Sequence, residues 1–155
     1  MIIWFTIPAT SGMEGYQNSQ FQNMSDLGPI PGGAYSINLS LDHKRIAKAD
    51  PNSGELLRGN GIQRIPTKFT TNDGRSWEYS AWGTMRARLN PSSSTNTYGR
   101  HSFYIHDSHK GYSHGCIEVG AGFFPKLINY SLIKPSINVY VQYSFHTSTR
   151  GNTKW

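Results

Sequence analysis

The 155-residue sequence predicts a single, mostly β domain with one or two short helices. Three observations lead there. Charged residues make up only 15% of the chain, while 16 glycines, 9 tyrosines and 8 prolines punctuate it. That balance suits strands joined by many turns better than a helical bundle. The apolar runs are short and bounded by Gly, Pro, Asn and Asp. Only one segment, Gly122 to Tyr130, reads well as a helix. The length fits one domain and is enough to bury a core. No internal repeat and no second domain is apparent.

The elements follow in order. Residues 2–7 read as a first strand, and Gly12 to Asp26 as a polar loop. Gly28-Pro29-Ile30-Pro31-Gly32-Gly33 reads as a turn, with φ fixed at the prolines and free at the glycines. Ala34 to Leu41 alternates and reads as a strand. Asp42 to Gly61 is polar, with turn signals at Asp50-Pro51 and Asn60-Gly61, and a short helix is expected near Leu41–Ala49. Trp77 to Leu89, interrupted at Gly83, suggests two short strands, and Asn90 to Asn96 a Ser-rich loop. His101 to His106 is aromatic and branched enough for a strand. In it Ser102, Tyr104 and His106 share one face, and Phe103 and Ile105 the other. Ser113 to Val119 begins as a loop and ends as a strand. The helix at Gly122 to Tyr130 tolerates Pro125 near its first turn. Ile137 to Tyr143 closes the domain, taken as residues 1–144, and 145–155 read as a polar tail.

Net charge is +6, a balance that can attract nucleic acid, anionic lipid or an anionic cell-wall polymer. The basic residues are scattered, with only Lys44 and Arg45 adjacent. No basic helix, zinc-finger spacing or aromatic RNA-binding signature accompanies them, which argues against nucleic acid as the partner. No run approaches the roughly 20 apolar residues of a membrane helix. The apolar start, Met1 to Ile7, lacks a basic region, is short, and is followed by Pro8, so it does not read as a signal peptide. The expectation is a soluble chain made in the cytoplasm without a classical export signal.

Chemistry concentrates around the only cysteine. Cys116 closes Ser113-His114-Gly115-Cys116, with His106 ten residues upstream and His101 and His109 nearby. A lone cysteine cannot form an internal disulfide, so its value lies in packing or reactivity. An imidazole that takes the thiol proton generates the thiolate nucleophile. Gly115 leaves the sulfur open and lets the chain turn sharply. The N–H groups of Gly115 and Cys116 are then candidate oxyanion donors. The plainer readings are an inert buried thiol or a structural zinc ligand. The spacing matches no common zinc motif, and neither metal nor cofactor is expected.

The stretch from Arg100 through His106 and Ser113-His114-Gly115-Cys116 to Val119 resembles the active-site segment of L,D-transpeptidases, the YkuD-like superfamily of bacterial peptidoglycan enzymes. The ten-residue spacing is similar to a divergent short-loop branch, whose best known members are type VI secretion effectors that attack peptidoglycan. Gly28 to Ile37 resembles the Gly-Pro-Ile-Pro-x-Gly-x-Tyr-x-Ile element of that branch. Arg86 to Pro91 followed by Tyr98-Gly99-Arg100 is a weaker match. Together these cover about residues 11 to 120. Glu118 stands where the larger superfamily commonly has arginine.

The resemblance implies an L,D-transpeptidase-like β-sandwich or barrel and a Cys116 thioester formed on a peptidoglycan stem peptide. The product is an L,D-carboxypeptidase fragment, a cross-link or an exchanged D-amino acid. It implies His106 as base, with His114 as the alternative. Arg100 is a candidate for the substrate carboxylate by its own chemistry, since its planar fork suits bidentate recognition, with a solvated edge arginine the plainer reading. Tyr104 and Arg86 are further candidate substrate contacts. Ser113 is expected to bond a histidine or to serve the turn. A cognate immunity protein and secretion components are the implied partners, and the periplasm of a target cell the implied site of action. Two readings compete. A papain-like peptidase places Cys before His, and here only His146 follows Cys116. A non-catalytic peptidoglycan-binding module would have no need of an intact His106/His114/Cys116 set.

Overall fold

A computed structural model describes residues 5–41 and 45–154. The chain is mostly β. Strands β1 (Ala9–Ser11), β2 (Gly33–Asn38), β3 (Ile62–Arg64), β4 (Lys68–Thr70), β5 (Ser76–Glu78), β6 (Met85–Arg88), β7 (Asn90–Pro91), β8 (Tyr104–His106) and β9 (Ile117–Val119) precede helix α1 (Phe123–Ser131) and strand β10 (Ser136–Val141). They form a five-stranded sheet in the order β1-β9-β8-β6-β3, a three-stranded sheet β10-β2-β7, and the hairpin β4-β5.

The strand period of two decides which residues meet in the core. Tyr35, Ile37 and Leu39 project from one face of β2 and its extension and are buried. From the larger sheet come Ile62, Ala87, Leu89, Ile105 and Val119, and from α1 Phe124 and Leu127. Helix α1 presents Phe123, Phe124, Leu127 and Ile128 as one apolar stripe. Pro125 lies in its first turn, where main-chain N–H groups have no helical partner to lose.

One connection determines where the site lies. Strands β8 and β9 are parallel neighbours, with Ile105 beside Ile117 and His106 beside Glu118. The chain must therefore return from the end of β8 to the start of β9 through residues 107–116. Parallel pairs ordinarily need a dozen or more residues for that crossing. Here the core occupies one face, and the short return loop is tied to the other. Lys110 and Gly111 donate their main-chain N–H groups to Glu118 at 3.1 and 2.8 Å.

Several elements differ from the sequence expectations. Of the strand expected at 2–7, residues 1–4 lie outside the described residues, and 5–7 are not strand. The first strand is β1, placed by pairing Ala9, Thr10 and Ser11 with Val119, Glu118 and Ile117. The helix expected near Leu41–Ala49 lies partly outside the described residues. Its remainder is extended, because Ile46 bridges Arg64 and Ala49 bridges Leu56. The segment read as a polar tail folds back along β1. Thr149 accepts from the Ser11 N–H and donates its hydroxyl to the Ser11 carbonyl, and Thr153 is buried.

Candidate active site

On the face away from the core, one row of polar side chains crosses the whole five-stranded sheet. Thr10 on β1 pairs with Glu118 on β9, Glu118 with His106 on β8, His106 with Arg86 on β6, and Arg86 with Gln63 on β3. All five are buried. Polar groups in such a place must bond one another or forfeit about 1–3 kcal/mol each. They do bond: among the described residues, no buried side-chain nitrogen or oxygen lacks a partner.

Arg86 donates to Gln63 Oε1 at 3.0 Å and to the Leu57 carbonyl at 2.5 Å. Its guanidinium lies 4.8 Å from the Trp82 ring and 4.3 Å from the Tyr104 ring. Trp82 covers the site, its ring 5.3 Å from both His106 and Tyr104. Asp107 positions the Trp82 turn by accepting from the N–H groups of Thr84 (2.6 Å) and Met85 (3.0 Å). Ser108 donates to Glu118 Oε2 and lies 3.2 Å from His106 Nδ1. Thr153 donates to the other oxygen, Glu118 Oε1.

Cys116 sits at the head of β9 and is partly exposed. Its carbonyl is fixed by the hydroxyls of Ser11 (2.7 Å) and Ser113 (2.5 Å). The turn before it requires glycine. Gly115 has φ +104, and a Cβ there would stand 2.2 Å from Arg100 Nη2. Arg100 cannot retreat, because it donates to the carbonyls of Gln22 (2.5 Å), Pro29 (2.7 Å) and Gly28 (3.0 Å). The Gly28-Pro29-Ile30-Pro31 segment is thereby clamped beside the cysteine turn. Gly115→Ala is expected to displace Arg100 and lower stability by about 1–3 kcal/mol, the scale of backbone strain in the left-handed region. A chemical denaturation curve checks this; an unshifted midpoint would contradict the clamp.

Two of the same cations act on the sulfur and on His106. Burial pushes the Cys116 thiol up; a hydrogen bond with the Tyr104 main chain and the charges of Lys110, Arg86 and Arg100 oppose it. Burial drives His106 down to about 3, with Lys110 and Arg86 adding and a hydrogen bond to the Trp82 main chain opposing. The same two cations, Lys110 and Arg86, act on both groups. Both shifts favour the uncharged forms of the two groups, thiol and imidazole. The charges of Lys110, Arg86 and Arg100 favour the anionic form of the sulfur.

The register places Cys116, His106, Arg86 and Tyr104 on one face of the five-stranded sheet, with Gly115 in the turn before the cysteine. Arg86 and Tyr104, expected at the substrate, are interior: the Tyr104 hydroxyl accepts from the Gly59 N–H at 3.1 Å. They form the floor behind the sulfur. Arg100, expected to present an open fork, spends its donors on carbonyls, because the 22–29 loop has no ladder partner for them. Ser113 bonds Gly12 and Cys116 rather than a histidine. His114 is exposed, its Nδ1 3.1 Å from the Asp26 carbonyl. It edges a cavity of about 210 Å³ shared with Asp26, His101, Ser102 and Gly115. Ser102 also places its carbonyl 4.0 Å from Cys116 Sγ, so this cavity lies beside the cysteine turn. His109 is exposed in the loop.

Sequence reasoning missed Ser108, Lys110, Trp82 and Ser11. Glu118 carried a signal, since it lies two residues after Cys116 and so on the same strand face. The others reach the site only through register and loop closure. Among the described residues, no group of three or more His, Cys, Asp or Glu side chains is placed to hold a metal ion. No helix among them is long and apolar enough to cross a membrane.

No curated protein is similar enough to this chain to stand as a relative. The model of one family, the Tlde1 domain, matches residues 6–140. That span takes in β1, the Gly28–Gly33 turn, the polar row, the cysteine turn and nearly all of β10. The chain therefore belongs to the Tlde1 domain family of type VI secretion effectors.

Proposed function

We propose that this effector is a cysteine acyl-transfer enzyme that acts on peptidoglycan stem peptides. One observation carries the reading. The only cysteine heads β9 beside a small cavity, on the sheet face that carries a buried, neutral histidine, and the same cations act on both groups.

The steps follow from those residues. The Cys116 sulfur attacks the carbonyl carbon of the bond between diaminopimelate and the terminal D-alanine, and His106 takes the thiol proton. Lys110 and Arg86 stabilise the charge while it resides on sulfur. The carbonyl oxygen becomes an oxyanion, and the main-chain N–H groups of Gly115 and Cys116 are its donors. Collapse breaks the C–N bond, and His106 returns the proton to the leaving D-alanine amine. Water then releases the thioester as an L,D-carboxypeptidase product, or an amine takes the acyl group in transpeptidation or D-amino-acid exchange. The substrate lies in the periplasm of a target cell, and a cognate immunity protein would protect the producer. The net charge of +6 favours approach to an anionic wall polymer.

Incubation with purified tetrapeptide muropeptides, followed by mass separation, tests the reading. Loss of the terminal D-alanine or its exchange is expected. Intact muropeptides would contradict it.

The depressed His106 sets the pH dependence. A base that stays neutral down to about pH 3 leaves no inflection near 6.5 in kcat/KM, and thiol alkylation should show no low-pH plateau. The same shift acts on stability. The folded value lies below the unfolded one, so between about 6.5 and 3 the unfolded chain binds more protons. The contribution is full above 6.5 and falls by about 1.4 kcal/mol per pH unit below it. Denaturation curves at pH 7 and pH 4.5 check the sign. Equal stability at both would contradict it, as would a kcat/KM inflection at an ordinary histidine value.

A further inference from the structure

Glu118 is the most buried ionisable side chain of the site, and nothing in the acyl-transfer steps uses it. It receives four hydrogen bonds: main-chain N–H donors from Lys110 and Gly111, and hydroxyl donors from Ser108 and Thr153. Two of the four donors can only donate, so the carboxylate is acceptor-only toward them. Ser108 has a single hydroxyl proton, and that proton points at Glu118. Its oxygen also lies 3.2 Å from His106 Nδ1. With its proton committed, Ser108 accepts there, which favours a hydrogen on His106 Nδ1; the ring N–H also has the Trp82 main chain as a partner. A neutral imidazole has one N–H, which in that tautomer leaves Nε2 with a bare lone pair.

We infer that Ser108 and Glu118 form a relay that locks His106 in its Nδ1–H tautomer and leaves Nε2 free to take the Cys116 proton. Glu118 and Ser108 are positioning residues: neither touches the reacting atoms. Free imidazole side chains favour the opposite tautomer, Nε2–H, which would present a donor to the thiol and no base. The relay removes that competition before substrate arrives. It also gives the imidazolium formed during attack an immediate acceptor at Nδ1, backed by the carboxylate.

The placement explains the loop. The return from β8 to β9 passes Ser108 over the row and delivers the Lys110 and Gly111 N–H groups to the carboxylate. The C-terminal segment closes the other side, with Thr153 bonded to Glu118 and 2.8 Å from Thr10 Oγ1. Glu118 is thus held by the loop, by β1 and by the folded-back segment, and its one mobile hydroxyl neighbour on the His106 side is Ser108.

The proposal rests on the acyl-transfer reading only for its effect on turnover; the tautomer itself does not. Ring ¹⁵N chemical shifts of His106 in the wild-type protein test it directly. A protonated Nδ1 and a bare Nε2 are expected near neutral pH; a protonated Nε2 overturns the relay. Ser108→Ala leaves Glu118 three donors and removes the link. In that variant the tautomer should move toward Nε2–H, and kcat should fall roughly 10- to 100-fold with little change in KM, a part of the usual acid–base contribution. Ser108→Thr, which restores the hydroxyl, should recover most of both. A retained Nδ1–H in Ser108→Ala overturns the relay whatever happens to turnover. A tautomer that moves while turnover stays at the wild-type level supports the relay and removes His106 as the base, so it is the acyl-transfer reading that fails.

Discussion

Cys116→Ala should reduce muropeptide turnover by about 10⁴- to 10⁶-fold, the scale lost when a catalytic nucleophile is removed, while the circular dichroism spectrum stays that of the wild type. The loss is expected to be this large because no other group can take over. The chain has no second cysteine, and Ser113, the nearest hydroxyl in the motif, is turned inward to Gly12 and the Cys116 carbonyl. The fold should survive because the turn is held by main-chain groups. Ser11 and Ser113 hold the carbonyl of residue 116, and Gly115 seats against Arg100. The thiol's own contacts are with main-chain groups, 4.0 Å to the Ser102 carbonyl and a hydrogen bond with the Tyr104 main chain. Wild-type turnover in Cys116→Ala would sink the enzyme reading altogether.

The second large effect separates the two histidines. His106→Ala should lower kcat roughly 100-fold or more, the usual contribution of a positioned base. His106→Gln controls for the space left beneath Trp82, since it fills the site without restoring an imidazole. His114→Ala should change kcat by less than about 3-fold: His114 is exposed, and its ring bond is to the Asp26 carbonyl. Any effect is expected mainly in KM, because His114 edges the cavity beside Gly115. A His114→Ala variant as inactive as Cys116→Ala, beside an active His106→Gln, would exchange the two roles.

What could be read from the sequence follows a physical boundary. Cys116, Gly115 and His106 stand out in the sequence as candidates because a thiol, a glycine turn and an imidazole are recognisable by residue type at short spacing. The helix at residues 123–131 was legible because its apolar stripe and tolerated Pro125 are local properties. The strands around the site were harder. Three residues, as in β3, are too few to display an alternation. The row from Thr10 to Gln63 exists only through cross-strand register, which no local pattern encodes. Arg100 shows the limit most clearly. Its residue type suggested a carboxylate fork, but its use was decided by three unpaired carbonyls of a loop more than seventy residues away in sequence. The C-terminal segment misled for the opposite reason. Its polarity suggested a free tail, yet it is polar because it bonds β1 and Glu118.

The charge pattern around the sulfur gives the account its internal consistency. Three cations close to a partly buried thiol would be costly if their only role were packing. They become useful when the proton leaves, since burial that raises the resting thiol also strengthens their hold on the anion.

The central claim is that Cys116 forms an acyl bond with a peptidoglycan stem peptide. Rapid acid quenching of the enzyme mixed with a tetrapeptide muropeptide, followed by intact-protein and peptide mass measurement, tests it most directly. A transient adduct on Cys116 with the mass of the donor less D-alanine is expected, absent from Cys116→Ala. Product formed with no adduct at any time point, or an adduct on a different residue, would contradict it.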